Sequence, residues 1–207
     1  MGGSSRSLRL LAVAILAGAF AQALPAAAMP TTGAAMEAGG LTSQPIGHYD
    51  LCQRSPGECS IRPIDRGPLP IDNALWRKID SVNRSVNDAV SPRSDLEIYG
   101  RDEWWAYPVN GVGDCEDYAL EKRKRLAEAG IPLSNILLTV VRKPDGEGHA
   151  VLTLRTDRGD FILDNLNNDL RPWYSTGYKF LKRQASNHTG HWVTLREDRN
   201  MLVGALQ

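Results

Sequence analysis

The chain has 207 residues, 24 basic and 24 acidic, with 42% hydrophobic residues and three cysteines. Such a balance excludes a nucleic-acid or anionic-membrane binder that works through excess positive charge. The length admits one ordinary domain with a proper core.

Arg6 and Arg9 lie before or at the start of an apolar run, Leu8 to Phe20, which is followed by Pro25 and Ala26-Ala27-Ala28. A basic start, a short apolar core and small residues at its end predict a secretory signal peptide over 1–28. The run is too short and too rich in Ala and Gly for stable membrane insertion, which takes roughly 20 apolar residues. Its removal leaves 22 basic against 24 acidic residues. Residues 29–47 are Thr, Gly, Ala, Ser and Pro with little periodicity and read as a flexible lead-in; 48–207 read as the folded domain. Export implies an oxidising compartment, where thiols pair if they can. Cys52 and Cys59 flank a Pro56-Gly57 turn signal and suit a local disulfide. Cys115 is then the leftover thiol, either reactive or an intermolecular partner.

Leu75, Ile79, Val82 and Val86 recur at spacings of three and four, so Ile71 to Val90 reads as an amphipathic helix that Ser91-Pro92 ends. Leu96 to Gly111, with Trp104-Trp105-Ala106-Tyr107-Pro108, reads as an irregular packed loop. A second helix is expected from Cys115 to Ala129, with Gly130 after its end and Pro132 beyond. Its inward stripe is Cys115, Ala119, Leu126, Ala129 and the stem of Lys122. Five strands follow: Ile136 to Arg142, His149 to Arg155, Asp160 to Asn165, Tyr178 to Arg183 and His191 to Arg196. Helices first and successive strands after argue an α+β fold with an antiparallel sheet.

The register of one hairpin follows from the side-chain period of two. Facing Leu154 with Phe161 and Leu152 with Leu163 joins the large apolar residues on one face. Val151 then faces Asp164, and His149 lies diagonally from Asp164 on the other face. A thiol at a helix N-terminus, an imidazole and a carboxylate form a set with a chemical use. The helix end favours a thiolate, the imidazole moves the proton, and the carboxylate orients the ring.

The runs GDCEDYA, GHAVL and ILDN, behind a signal peptide, resemble the bacterial transglutaminase-like cysteine proteinases, a family that includes periplasmic LapG-type adhesin proteases. The resemblance spans roughly Ile71 to Leu195. It implies a papain-like fold, with the Cys helix packed on the antiparallel sheet. It implies Cys115 as nucleophile, His149 as general base and acid, and Asp164 as orienting residue. The protein is then an exported endopeptidase of the periplasm that cleaves a protein, a surface adhesin by analogy, under a membrane receptor. The resemblance further implies calcium held by Asp114 and Glu116; hard oxygen ligands suit that ion. The other use of those carboxylates is at the helix start, Asp114 as N-cap and Glu116 and Asp117 in the first turn. The backbone N–H of Cys115 is one oxyanion donor, and the indole of Trp104 or Trp105 a second. His191 is the reserve imidazole. A transglutaminase-type acyltransferase, a cell-wall peptidase and a non-catalytic calcium-responsive binding module remain as alternatives.

Overall fold

The chain is seen in a computed structural model that describes residues 1–2 and 33–196. Apart from residues 1 and 2, the expected signal peptide lies outside the described residues. The first half supplies β1 (Ala38–Thr42), α1 (Ile46–Arg54), α2 (Pro56–Cys59), α3 (Asn73–Ala89), β2 (Ser91–Pro92), α4 (Asp95–Tyr99), β3 (Val112–Gly113) and α5 (Cys115–Glu128). The second half supplies β4 (Ile136–Arg142), β5 (Gly148–Thr156), β6 (Gly159–Leu163), β7 (Arg171–Pro172), β8 (Lys179–Ala185) and β9 (His188–Leu195). Seven strands form one antiparallel sheet in the order β1-β9-β8-β4-β5-β6-β7, while β2 and β3 pair in parallel beside it. The expected α+β architecture is the one observed.

The hairpin register is also the one expected: Leu152 pairs with Leu163 and Leu154 with Phe161. These residues, with Ala150, Ile136 and Leu138, face α3 and α5 and join Ile79, Trp76, Leu120 and Leu126 in the main core. The alternate residues Val141, Val151 and Ile162 turn to the other face, where Met36 and Phe180 cover them. One residue of slip would exchange the two sets, so burial on both faces pins the register.

The helix starts follow local chemistry. Asp72 caps α3 by accepting the Leu75 N–H at 2.7 Å. Ser94 and Glu97 close a capping box on α4, which occupies part of the stretch read as an irregular loop. The lead-in reading also fails over its last ten residues. Residues 38–42 form β1 on the edge of β9, and α1 begins at Ile46. An edge strand is held by main-chain hydrogen bonds, so a Gly-rich segment forms one with no apolar alternation to announce it. Just before it, Met36 donates its N–H to the Asp160 carboxylate at 2.9 Å and buries its side chain on the sheet. Cys52 and Cys59 form the expected disulfide and tie α1 to α2.

Candidate active site

The site collects where the N-terminus of α5 meets the starts and ends of β5 and β6. Cys115 is the first residue of α5 and the one free cysteine among the described residues. Glycine at 113 is needed for the approach of this helix: a Cβ there would lie 2.7 Å from Asp117 Cβ. The half-buried thiol has two neighbours. Sγ accepts the Ala150 N–H at 3.4 Å and donates to Glu116 Oε2 at 3.1 Å. The Ala150 N–H is free for this because β6 leaves its ladder with β5 after Leu163.

His149 precedes Ala150 at the start of β5 and is buried. Its Nε2 hydrogen-bonds Asp164 Oδ1 at 2.9 Å. Asp164 follows the last residue of β6, as the register requires. Its Oδ1 also accepts the Leu166 N–H at 3.0 Å, and its Oδ2 accepts the Tyr178 hydroxyl at 2.7 Å. Burial works against the Asp164 charge, but these donors outweigh it and hold the carboxyl below its ordinary value. Nδ1 is the ring nitrogen left over. Among the described residues no hydrogen bond joins it to Cys115; the thiol is turned to Glu116. Burial, and then the Glu116 carboxylate, push the thiol well above its ordinary pKa.

On the other side of the helix start lies a knot of carboxylates. Asp95 from α4, Asp114 and Asp117 each offer an oxygen within 4.8 Å of the others. Each is partly satisfied by backbone: Asp95 accepts the Trp104 N–H, Asp114 the Asp95 N–H and Asp117 the Ala106 N–H. Asp114 is therefore the N-cap residue by backbone position only, its side chain turned away from its own helix. One buried oxygen on each, Asp95 Oδ1, Asp114 Oδ1 and Asp117 Oδ2, has no hydrogen-bond partner. Burial raises all three carboxyls, Asp117 to about 8, and the Asp95 charge raises Asp114 further. Burial and Asp114 also raise Glu116, whose carboxyl touches those of Asp95 and Asp114. Unpaired oxygens on crowded, buried carboxylates are the donor set a hard divalent cation takes, so the residues fit calcium. Asp114 belongs to that set, and Glu116 reaches it as well as the thiol. Of this cluster the sequence marks only Asp114 as a candidate; Asp95 and Asp117 join it through the fold.

The tryptophans divide. Trp105 is buried against His48 and Trp192, and its indole N–H goes to Glu103 at 3.2 Å, a packing role. Its neighbour Trp104 holds its ring under Arg54 and Arg101, 3.4 and 4.5 Å from the ring centre. His191 stacks on His188 at 3.8 Å near the β8–β9 turn, and no hydrogen bond joins it to Cys115 or Asp164 among the described residues. In sequence Tyr178 is marked only as the first residue of an expected strand, after Thr176-Gly177; the structure starts β8 at Lys179 and leaves Tyr178 just before it.

A helix-terminal thiol on an antiparallel sheet, next to a histidine–aspartate pair, is the arrangement of the papain-like thiol peptidases as a class. The sequence model of the bacterial transglutaminase-like cysteine proteinases (BTLCP) matches residues 38–200. The chain belongs to that family, and it is a cysteine peptidase with a protein substrate. Among solved structures it is similar to Legionella pneumophila LapG, at 23% identity over 60% of this chain and 70% of that one, with a TM-score of 0.49. The calcium-bound form of that protein gives 24%, 63%, 79% and 0.49, and the EGTA-treated form 24%, 60%, 72% and 0.48. No curated protein matches the chain in sequence. Among the described residues no helix is long and apolar enough to cross a membrane.

Proposed function

We propose that this peptidase is an exported, calcium-dependent endopeptidase of the periplasm that uses Cys115, His149 and Asp164 to cleave a cell-surface protein of the adhesin class. The observation that carries the reading is the His149 Nε2–Asp164 Oδ1 hydrogen bond, which frees Nδ1 beside the strand residue whose N–H reaches Cys115 Sγ. The basic, apolar and small-residue pattern of 1–28 supports export, and the family supports peptide hydrolysis.

In the reaction, Sγ turns from Glu116 to His149 Nδ1, which takes the thiol proton. The thiolate attacks the scissile carbonyl, and the developing oxyanion meets the Cys115 N–H at the helix terminus. The C–N bond breaks as the imidazolium returns its proton to the leaving amine, and a thioester remains on Cys115. Water, deprotonated by His149, then attacks the thioester carbonyl; the C–S bond breaks, the acid leaves, and the imidazolium returns the proton to Sγ. Asp164 holds the ring and faces its positive charge. Asp95, Asp114 and Asp117 would hold calcium, which when bound supplies positive charge where the carboxylates otherwise raise the thiol pKa.

The test sets Cys115→Ala beside wild type on the cells' own surface proteins, with and without EGTA. Cleavage by wild type alone, lost in EGTA, is the expected result. Cleavage that survives Cys115→Ala overturns the mechanism, and indifference to EGTA overturns the calcium assignment only. Conjugates formed with an added amine would mark an acyltransferase, and release from purified peptidoglycan a cell-wall peptidase.

A further inference from the structure

We propose that Tyr178 is a positioning residue of this site, whose hydroxyl fixes the Asp164 carboxylate and whose ring closes one side of His149. The inference rests on the reading of Cys115, His149 and Asp164 as the triad, and names a fourth element that it depends on. Asp164 has two oxygens with different company. Oδ1 is shared by His149 and the Leu166 N–H. Oδ2 has Tyr178 as its hydrogen-bond donor at 2.7 Å, and no second donor to it is found among the described residues. With Oδ1 alone engaged, the carboxylate can swing about its terminal bond, and the imidazole it orients swings with it. A donor on Oδ2 removes that freedom.

Tyr178 is suited to the task by where it stands. It comes from neither the helix nor the hairpin that carry the triad, but from the approach to β8. Gly177 takes φ +78° in the turn before it, and the Tyr178 N–H is held by Thr176 Oγ1 at 3.2 Å. The next residue, Lys179, is already paired with Arg142 of β4. A side chain on a strand end fixed on both sides places its hydroxyl with little freedom. The Tyr178 ring meets the His149 ring edge to face, with centres 5.6 Å apart and planes at 72°. The same side chain therefore limits the ring directly and through its carboxylate. The charged and titratable groups that face this pair are Lys122 from α5 toward Asp164, and Arg171 and Asp145 toward Tyr178.

The test compares wild type, Tyr178→Phe, Tyr178→Leu and His149→Ala at one pH and saturating calcium. Cys115 is the chain's one free thiol, so iodoacetamide reports its reactivity without a known substrate. The His149 ring N–H proton is followed by NMR, and melting by circular dichroism. Tyr178→Phe is expected to melt near wild type, to lose or broaden the ring N–H signal through exchange with water, and to slow alkylation by about 5–10-fold. Tyr178→Leu is expected to be no faster. If Tyr178→Phe keeps the wild-type rate and signal while only Tyr178→Leu suffers, the ring merely packs and the proposal is wrong. If His149→Ala alkylates as fast as wild type, the triad reading itself fails, which is a different result from failure at Tyr178 alone.

Discussion

The two sides of the α5 N-terminus are built on opposite principles. On the His149 side both carboxylate oxygens of Asp164 are engaged: two donors on Oδ1 and one on Oδ2. On the Asp117 side three carboxylates each keep a buried oxygen without a hydrogen-bond partner. Hydrogen bonds alone finish the first side. They cannot finish the second, since buried charges without partners cost several kcal/mol unless they hold protons or a cation. Cys115 lies between them and donates to the unfinished side, through Glu116. The contrast is that the His149–Asp164 pair is complete in the fold itself, while under the proposed mechanism the thiol joins it only once the carboxylates are neutralised.

The largest effect is expected from breaking the finished side. His149→Ala should lower cleavage of surface proteins by about 10³-fold or more, because the proton carrier is gone, while circular dichroism shows the fold retained. A variant within tenfold of wild type would mean that the complete hydrogen-bond set serves stability and not chemistry.

Next comes the unfinished side. Calcium is expected to raise the melting temperature of the wild type and not that of the Asp95→Asn, Asp117→Asn double variant, which should melt higher than metal-free wild type at pH 8. The sign follows from the raised carboxyls. Asp117 keeps its proton up to about 8 in the fold, while an unfolded aspartate loses it near about 4. Between those values the folded state binds more protons, so metal-free stability falls as pH rises, by up to about 1.4 kcal/mol per pH unit for each such group. On the finished side the sign is reversed. Asp164 is held below its ordinary value, so its contribution is present at neutral pH and is lost as pH falls through its folded value. Thermal melts from pH 5 to 8, with and without EGTA, check the first slope, and melts carried down to about pH 2 check the second. Equal slopes in both conditions would show that no cation neutralises Asp95, Asp114 and Asp117.

The finished side was also the more legible in sequence. The pairing of Leu152 with Leu163 and Leu154 with Phe161 is dictated by a period of two, and it carries His149 and Asp164 together without further information. Cys115 was marked by arithmetic, as the thiol left over. The unfinished side depends on chain paths that no local pattern records. Asp95 lies 19 residues before Asp114, and only the fold of the intervening aromatic stretch brings it to the helix start. The capping signature Ser94-x-x-Glu97 was there to be read, but tryptophans around it suggested a loop. Tyr178 is likewise unmarked locally: its partner Asp164 follows β6, which the sheet order separates from β8 by β4 and β5. On the α5 wheel Glu116 and Asp117 look like solvated first-turn acids, yet both are buried. Helical periodicity reports which face meets apolar core; it cannot report a face buried in polar company.

Lys122 offers the smallest and most discriminating change. It is 1% exposed on the inward stripe of α5, and its Nζ has no hydrogen-bond partner. Burial lowers its pKa to about 7, although the Asp164 charge pulls the other way. It is thus a second buried charge without a hydrogen bond, beneath the finished side, with the Tyr118 ring centre 5.9 Å from Nζ. If the ammonium is only an uncompensated buried charge, Lys122→Met should raise the melting temperature by about 2–4 °C, since a thioether of similar length replaces it without desolvation. The unfolded chain holds that proton to about 10.4, so the penalty is full below about pH 7 and fades as pH rises above it. The gain from Lys122→Met should therefore shrink between pH 7 and 10. If instead Lys122→Met melts lower and the loss of cleavage follows it, the ammonium supports Asp164 through the core, and the finished side is larger than its hydrogen bonds.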